Sequence, residues 1–162
     1  MSSEPSAPSI SPEHPLTGGC FCGALKYALS APPKLSGYCH CTQCQRLNGC
    51  PFVHTIHFPT TAFTWTSSTA ADRHEFNNPT KPHKTRVRCA TCGCCVASHN
   101  SKTGSTSVWG AQLHREEEGK IMRYDQVKPV GHMFYGTRIV NVKDGLGKWE
   151  GYPEQSARMD ET

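Results

Sequence analysis

The sequence lacks the features that mark several large classes of protein. No apolar run approaches the ~18 residues that a membrane-spanning helix needs, so we expect no membrane partner. The first residues show no basic segment followed by an apolar stretch, which argues against secretion. We therefore expect a cytoplasmic protein, with the nucleus as the alternative. Neither the G-x-x-x-x-G-K-[ST] phosphate loop nor the G-x-G-x-x-G dinucleotide motif occurs, which argues against a nucleotide-binding enzyme.

Charge is also scarce. Charged residues make up 19% of the chain, and the net charge of +4 at pH 7 is too small to indicate nucleic-acid binding. One basic cluster stands out, and an ordinary solvated face explains it better than a nucleic-acid surface does: Lys81, Lys84, Arg86 and Arg88. We expect no nucleic-acid partner.

Glycine, proline and cysteine are abundant instead, with 14, 12 and 10 residues. Long stretches of 3.6-residue periodicity and fixed-period repeats are both missing, so the composition predicts a mainly β single domain with few or no long helices. A short helix is predicted over Thr42–Asn48, with Gly49 as its left-handed stop. Strands are predicted over residues 24–29, 35–41, 52–58, 63–66, 73–76, 85–89, 95–99, 106–113 and 134–142.

The ends of the chain differ from its middle. Residues 1–15 hold four prolines and five serines and cannot bury enough apolar surface to order themselves, so we predict a disordered tail there. We place the folded domain at residues 16–155 and a flexible C-terminus at residues 156–162.

Ten cysteines without an export signal point to metal binding or catalysis rather than to disulfide bonds. Residues two apart on a strand face the same side, so a C-x-C pair can direct both sulfurs to one metal. A C-x-x-C-G sequence forms a tight turn whose glycine supplies the positive φ. These spacings occur in Cys20-Phe21-Cys22, in Cys39-His40-Cys41-Thr42-Gln43-Cys44 and in Cys89-Ala90-Thr91-Cys92-Gly93.

The motifs combine into two predicted zinc sites per chain. Four thiolates form a closed structural site: Cys20, Cys22, Cys89 and Cys92. Three thiolates with an open fourth position form a reactive site: Cys39, Cys41 and Cys44. In the alternative, Cys50, Cys94 or Cys95 supplies a fourth ligand that closes the second site. His40 lies between two ligands and faces the other way, so we predict that it packs in the interior or supports the metal ligands from behind.

The order of these motifs, with Gly18-Gly19 before the first and Pro51-Phe52 after the second, resembles the family of glutathione-dependent formaldehyde-activating enzymes and centromere protein V. The resemblance covers about residues 16–114, and the later stretch 135–143 also looks similar to fungal members. It implies a β-tent fold, a structural zinc on Cys20, Cys22, Cys89 and Cys92, and a catalytic zinc on Cys39, Cys41 and Cys44. It also implies carbon–sulfur lyase activity on S-hydroxymethylglutathione, with glutathione as the small-molecule thiol partner. The sequence departs from the family pattern at Cys50 and Cys94, which add thiols near the metal sites.

Two other functions stay open. One is a non-catalytic zinc-stabilised binding module in chromatin or protein assembly, as in the centromere branch. The other is a metal-handling or redox role for Cys50, Cys94 and Cys95. For the enzyme, the carboxylates of glutathione call for a basic residue in the pocket, and Arg46, next to the third ligand, is the candidate.

Overall fold

Short strands joined by tight turns make up most of the computed structural model, which describes residues 7–159. The helices are α1, Thr42–Asn48, and α2, Tyr124–Val127, so the predicted helix is confirmed at both ends. The strands are β1 Leu16–Gly19, β2 Lys26–Leu29, β3 Leu35–Cys39, β4 Val53–Pro59, β5 Phe63–Ser67, β6 Arg73–Asn78, β7 Lys81–Cys89, β8 Cys95–Asn100, β9 Ser105–Trp109, β10 Gly131–Met133 and β11 Gly147–Lys148. The mainly β prediction is confirmed, while the finer β-tent assignment stays a prediction. Within residues 7–159, no helix has both the length and the apolar character needed to cross a membrane.

The strands form two sheets. A small antiparallel sheet has the order β1-β2-β5, and an eight-stranded sheet has the order β11-β10-β3-β4-β9-β8-β7-β6. In the large sheet β10 runs parallel to both β3 and β11, whereas the other neighbours are antiparallel. Strand β3, which carries the first cysteine of the second motif, therefore lies between β4 and β10.

Two apolar clusters hold the sheets in place. The larger one packs inward residues of the small sheet, such as Tyr27 and Leu29, against Ile56 and Phe58 of β4, all with 0% exposure. Burying a side chain of this size stabilises the fold by about 1.5–3 kcal/mol. The smaller cluster consists of Cys39, Val53, Cys95, Trp109 and Met133. It lies under the second cysteine motif and supports it from the protein interior.

The predicted strand over residues 134–142 is wrong. Strand β10 ends at Met133, and a 3₁₀ turn follows at Tyr135–Thr137. Phe134 adopts φ 54° and ψ 41°, a left-handed conformation that cannot continue an extended strand. The apolar alternation that suggested a strand includes Ile139, which is 66% exposed and packs against no sheet.

The chain ends differ from the prediction as well. Residues 1–6 lie outside the described part of the chain, and residues 7–15, though mostly exposed, contact the domain at a few points. Ile10 is 3% exposed, and its N–H donates to Gln126 Oε1 at 3.0 Å. Arg123 adds two hydrogen bonds to the carbonyls of His14 and Pro15. One buried side chain and these backbone contacts order a segment whose composition alone favours disorder.

Near the other end, residues 156–159 form hydrogen bonds with β11 and with Glu150, two residues after it. The Met159 N–H donates to the Lys148 carbonyl at 2.8 Å, and the Glu150 N–H donates to the Ala157 carbonyl at 3.0 Å. The predicted flexible C-terminus, 156–162, is therefore ordered up to residue 159, and residues 160–162 lie outside the described range.

Candidate metal centres

The first cysteine cluster joins the two sheets. The sulfurs of Cys20, Cys22, Cys89 and Cys92 all lie within 4.8 Å of one another. The Sγ–Sγ distance is 3.6 Å between Cys20 and Cys22 and 3.7 Å between Cys22 and Cys89. A tetrahedral zinc ion with ~2.3 Å bonds to sulfur requires sulfurs about 3.8 Å apart. The four side chains therefore fit a zinc ion as they stand.

Local turns produce this arrangement. Gly23 and Gly93 adopt φ values of 81° and 71°, the left-handed turn conformation that glycine tolerates best. The Gly93 N–H donates to the Cys89 carbonyl at 2.9 Å, which closes the turn of the C-x-x-C motif. The Leu25 N–H donates to Cys20 Sγ at 3.3 Å, as expected for a turn that stabilises a metal-bound thiolate.

The second cluster lies where β3 meets α1. Cys39 ends the strand, Cys41 caps the helix and Cys44 lies in its first turn, and their three sulfurs also fall within 4.8 Å of one another. The Cys44 N–H donates to Cys41 Sγ at 3.4 Å. Hydrogen bonds from the Cys39 and Cys44 thiols, followed by those from backbone N–H groups, lower the pKa of Cys41 far below that of a free thiol. The site thus favours a thiolate at the helix cap.

The other cysteines occupy different environments. Neither Cys50, Cys94 nor Cys95 lies within 4.8 Å of all three sulfurs of the second cluster. Burial raises the pKa of all three thiols, that of Cys95 to about 11, so they stay protonated at neutral pH. Cys50 Sγ donates to the Phe52 carbonyl at 3.3 Å, and Gln112 Nε2 donates to Cys94 Sγ at 2.9 Å. Among residues 7–159, the second cluster therefore gathers three sulfurs.

A cleft of about 810 Å³ opens over the second cluster. Its walls carry five cations and, within residues 7–159, no aspartate or glutamate. The five are Lys34, Lys81, Lys84, Arg86 and Lys102. Arg86 is 8% exposed, and burial, Arg86 and Lys81 together lower the pKa of Lys84. The electrostatic field of this cleft therefore selects for an anionic ligand.

The candidate Arg46 does not contribute to this field. It is exposed on α1 and does not line the cleft. It follows Cys44 by two residues, which places it about 200° around the helix from that ligand. Arg86, rather than Arg46, is the arginine that lines the cleft. The sequence alone indicated a solvated face for Arg86, because only the pairing of β7 with β8 and of β8 with β9 brings it across from α1.

The basic cluster on β7 splits between two environments. Lys81, Lys84 and Arg86 line the cleft, and the interpretation of a solvated face is wrong for Arg86, which is buried. Arg88 instead donates to the Gly93 carbonyl at 3.0 Å and to the Leu47 carbonyl at 3.2 Å. Arg88 thereby connects the C-x-x-C turn of the first cluster to α1, the helix of the second cluster.

Neutral side chains complete the cleft. Burial, followed by the charges of Lys84 and Arg86, lowers the pKa of His57 to about 4, so this histidine is neutral at pH 7. His54 lies on the opposite face of β4, where its Nε2 contacts Ser36 Oγ and the Val127 carbonyl. Aromatic and apolar walls are formed by Leu35, Trp109, Met133, Phe134 and Tyr152.

The sequence profile of the glutathione-dependent formaldehyde-activating enzyme family matches residues 15–137. The chain belongs to this family. Both cysteine clusters fall inside the match, whereas Tyr152 and Gln155 of the cleft wall lie beyond it. Among solved structures, a Rhodobacter sphaeroides protein is similar at 18% sequence identity and a TM-score of 0.48, over 65% of this chain and 96% of that one. The comparison with curated proteins finds no significant match.

Proposed function

We propose that this protein is a zinc-dependent carbon–sulfur lyase that forms or cleaves S-hydroxymethylglutathione. Its structural zinc is held by the first cysteine cluster, and its catalytic zinc by Cys39, Cys41 and Cys44. The observation that carries the proposal is the position of three clustered cysteines in the wall of a cationic cleft of about 810 Å³. Membership of the family supports the choice of glutathione and formaldehyde.

The donor set of the second cluster suits a thiophilic ion with one free position. Three cysteine sulfurs from this chain leave the fourth corner of a zinc tetrahedron to an external ligand. Zinc held there favours the thiolate form of a thiol bound at that corner.

The cationic wall matches the charge of glutathione, which carries two carboxylates. Lys84 and Arg86 line the same cleft as the cysteines, so they can pair with a carboxylate while the substrate sulfur points to the second cluster. A hydrogen bond to a charged group of this kind contributes about 1.5–3 kcal/mol. The uncharged His57 leaves that positive field intact at neutral pH.

The proposed reaction adds a thiol across an aldehyde. The thiolate sulfur attacks the carbonyl carbon, a C–S bond forms, the C=O π bond becomes an alkoxide, and the proton lost by the thiol ends on that oxygen. Cleavage is the reverse. Tyr152 stays a protonated phenol because burial, followed by the charges of the three cysteines, raises its pKa. It lines the cleft and can donate a hydrogen bond to the alkoxide.

Exchange NMR with ¹³C-formaldehyde and glutathione tests the proposal, because it measures adduct formation above the spontaneous rate. The wild-type protein should accelerate the exchange, Cys41→Ser should not, and Cys50→Ser should behave as wild type. Wild-type protein that retains zinc but does not accelerate the exchange would contradict the lyase assignment. A non-catalytic zinc-stabilised binding module would then be the better description.

A further inference from the structure

Three hydrogen-bonded side chains lie behind the second cluster, two of them buried histidines and the third the exposed Asp144. His40 Nε2 is 2.9 Å from His132 Nδ1, and His132 Nε2 is 2.9 Å from Asp144 Oδ2. Both histidines have 0% exposure, and none of the three residues lines the cleft. These three hydrogen-bonded side chains therefore contact the segment that carries Cys39 and Cys41 on the side opposite the cleft.

The hydrogen bonds dictate which ring nitrogens carry protons. Asp144 also accepts from the Leu146 N–H at 3.1 Å and lies 4.0 Å from Lys148 Nζ, contacts that favour its ionised form. An ionised carboxylate can only accept, so His132 donates from Nε2, and a ring with one N–H proton then has an acceptor at Nδ1. His40 must then donate from Nε2. One carboxylate thus sets the tautomers of both histidines.

The backbone of His40 is held as firmly as its side chain. Its N–H donates to the Met133 carbonyl at 2.9 Å, and its carbonyl accepts from Gln45 Nε2 at 2.7 Å and from Thr137 Oγ1 at 3.0 Å. Three of the four groups that hold His40 therefore come from residues 132–137. The backbone N–H, the backbone carbonyl and the imidazole ring of His40 are therefore all held by hydrogen bonds.

We propose that Asp144 and His132 are positioning residues that lock His40 in one tautomer and so hold Cys39 and Cys41 in zinc-binding geometry. This inference rests on the proposed zinc site at the second cluster. A site with three protein ligands depends on preorganisation more than a closed site does, because fewer bonds enforce its geometry. Partners behind metal ligands are typically worth 10–100-fold in metal affinity.

The first test needs no substitution. Ring ¹⁵N NMR of the zinc-loaded wild-type protein should show His132 protonated at Nε2 and bare at Nδ1, with a coupling across the His40–His132 hydrogen bond. A spectrum with His132 protonated at Nδ1 would overturn the inference whatever the protein catalyses. The reading is independent of enzyme activity and of the stability of any variant.

The second test measures zinc affinity by chelator competition. Asp144→Ala should weaken zinc at the second cluster by about 10–100-fold and leave the first cluster unchanged. Asp144→Asn, whose amide oxygen can still accept from His132, should keep near-wild-type affinity. The control is Asp72→Ala, which removes a carboxylate that, among residues 7–159, is hydrogen-bonded only to Thr69.

The outcomes separate the two proposals. Wild-type protein that binds zinc at the second cluster, with Asp144→Ala equal to wild type, refutes the positioning role and leaves the proposed function standing. Wild-type protein that binds no zinc at Cys39, Cys41 and Cys44 refutes both.

Discussion

Loss of a ligand should affect stability very differently at the two cysteine clusters. Cys22 and Cys89 are 67 positions apart in the chain, whereas Cys39 and Cys44 are five apart. Loop-closure entropy scales as (3/2)RT ln n, so a metal crosslink between the distant pair constrains the unfolded chain by about 2 kcal/mol more. The compact motif can also bind zinc in the unfolded chain, which cancels part of its stabilisation of the fold.

These free energies predict that a ligand substitution in the first cluster unfolds the protein, whereas one in the second cluster does not. Structural zinc contributes on the order of 10 kcal/mol of apparent binding energy in small domains, comparable to the whole stability of a domain. Cys92→Ser should therefore abolish cooperative unfolding. Cys41→Ser should stay folded, because serine is itself a good helix cap and keeps the bond from the Cys44 N–H.

Thermal unfolding followed by circular dichroism, with zinc content measured on the same samples, checks this prediction. Cys50→Ser is the matched control, because Cys50 belongs to neither cluster. Two variants that melt at the same temperature, or that are both unfolded, would refute the division into a structural and a reactive site.

The remaining predictions concern the ions, the ligand and pH. Elemental analysis of protein purified without chelator should give two zinc ions per chain, and a value near one would contradict the two-site proposal. Glutathione should bind far more tightly than its S-methylated analogue, which cannot form a thiolate, and calorimetry that gives equal affinities would exclude binding through sulfur. Arg86→Met should weaken glutathione binding by about 10–100-fold, whereas the exposed Arg46→Met should not change it. Because burial lowers the pKa of His57 to about 4, the unfolded chain binds a proton first as the pH falls below 6.5. Stability is then lost between pH 6.5 and 4, and urea unfolding at pH 7 and 5 should show His57→Gln losing about 2 kcal/mol less than wild type.

The spacing of the cysteines was enough to predict both clusters. Residues two or three apart in a strand or tight turn have few conformations, so Cys20-Phe21-Cys22 and the C-x-x-C-G turn at Cys89 carry their own geometry. The helix over Thr42–Asn48 was predictable for the same reason, since Gly49 marks its end through a local backbone preference. Local rules suffice where the determining contacts are local.

Contacts between distant residues decided the rest. The choice of Arg86 over Arg46, and the Asp144–His132–His40 chain, both depend on which strands lie side by side in the large sheet. The same is true of Ile10, whose burial against the domain orders a segment that its composition would leave disordered. Periodicity and composition describe each segment separately, whereas the charge of the cleft and the support of its cysteines come from segments that only the folded chain brings together.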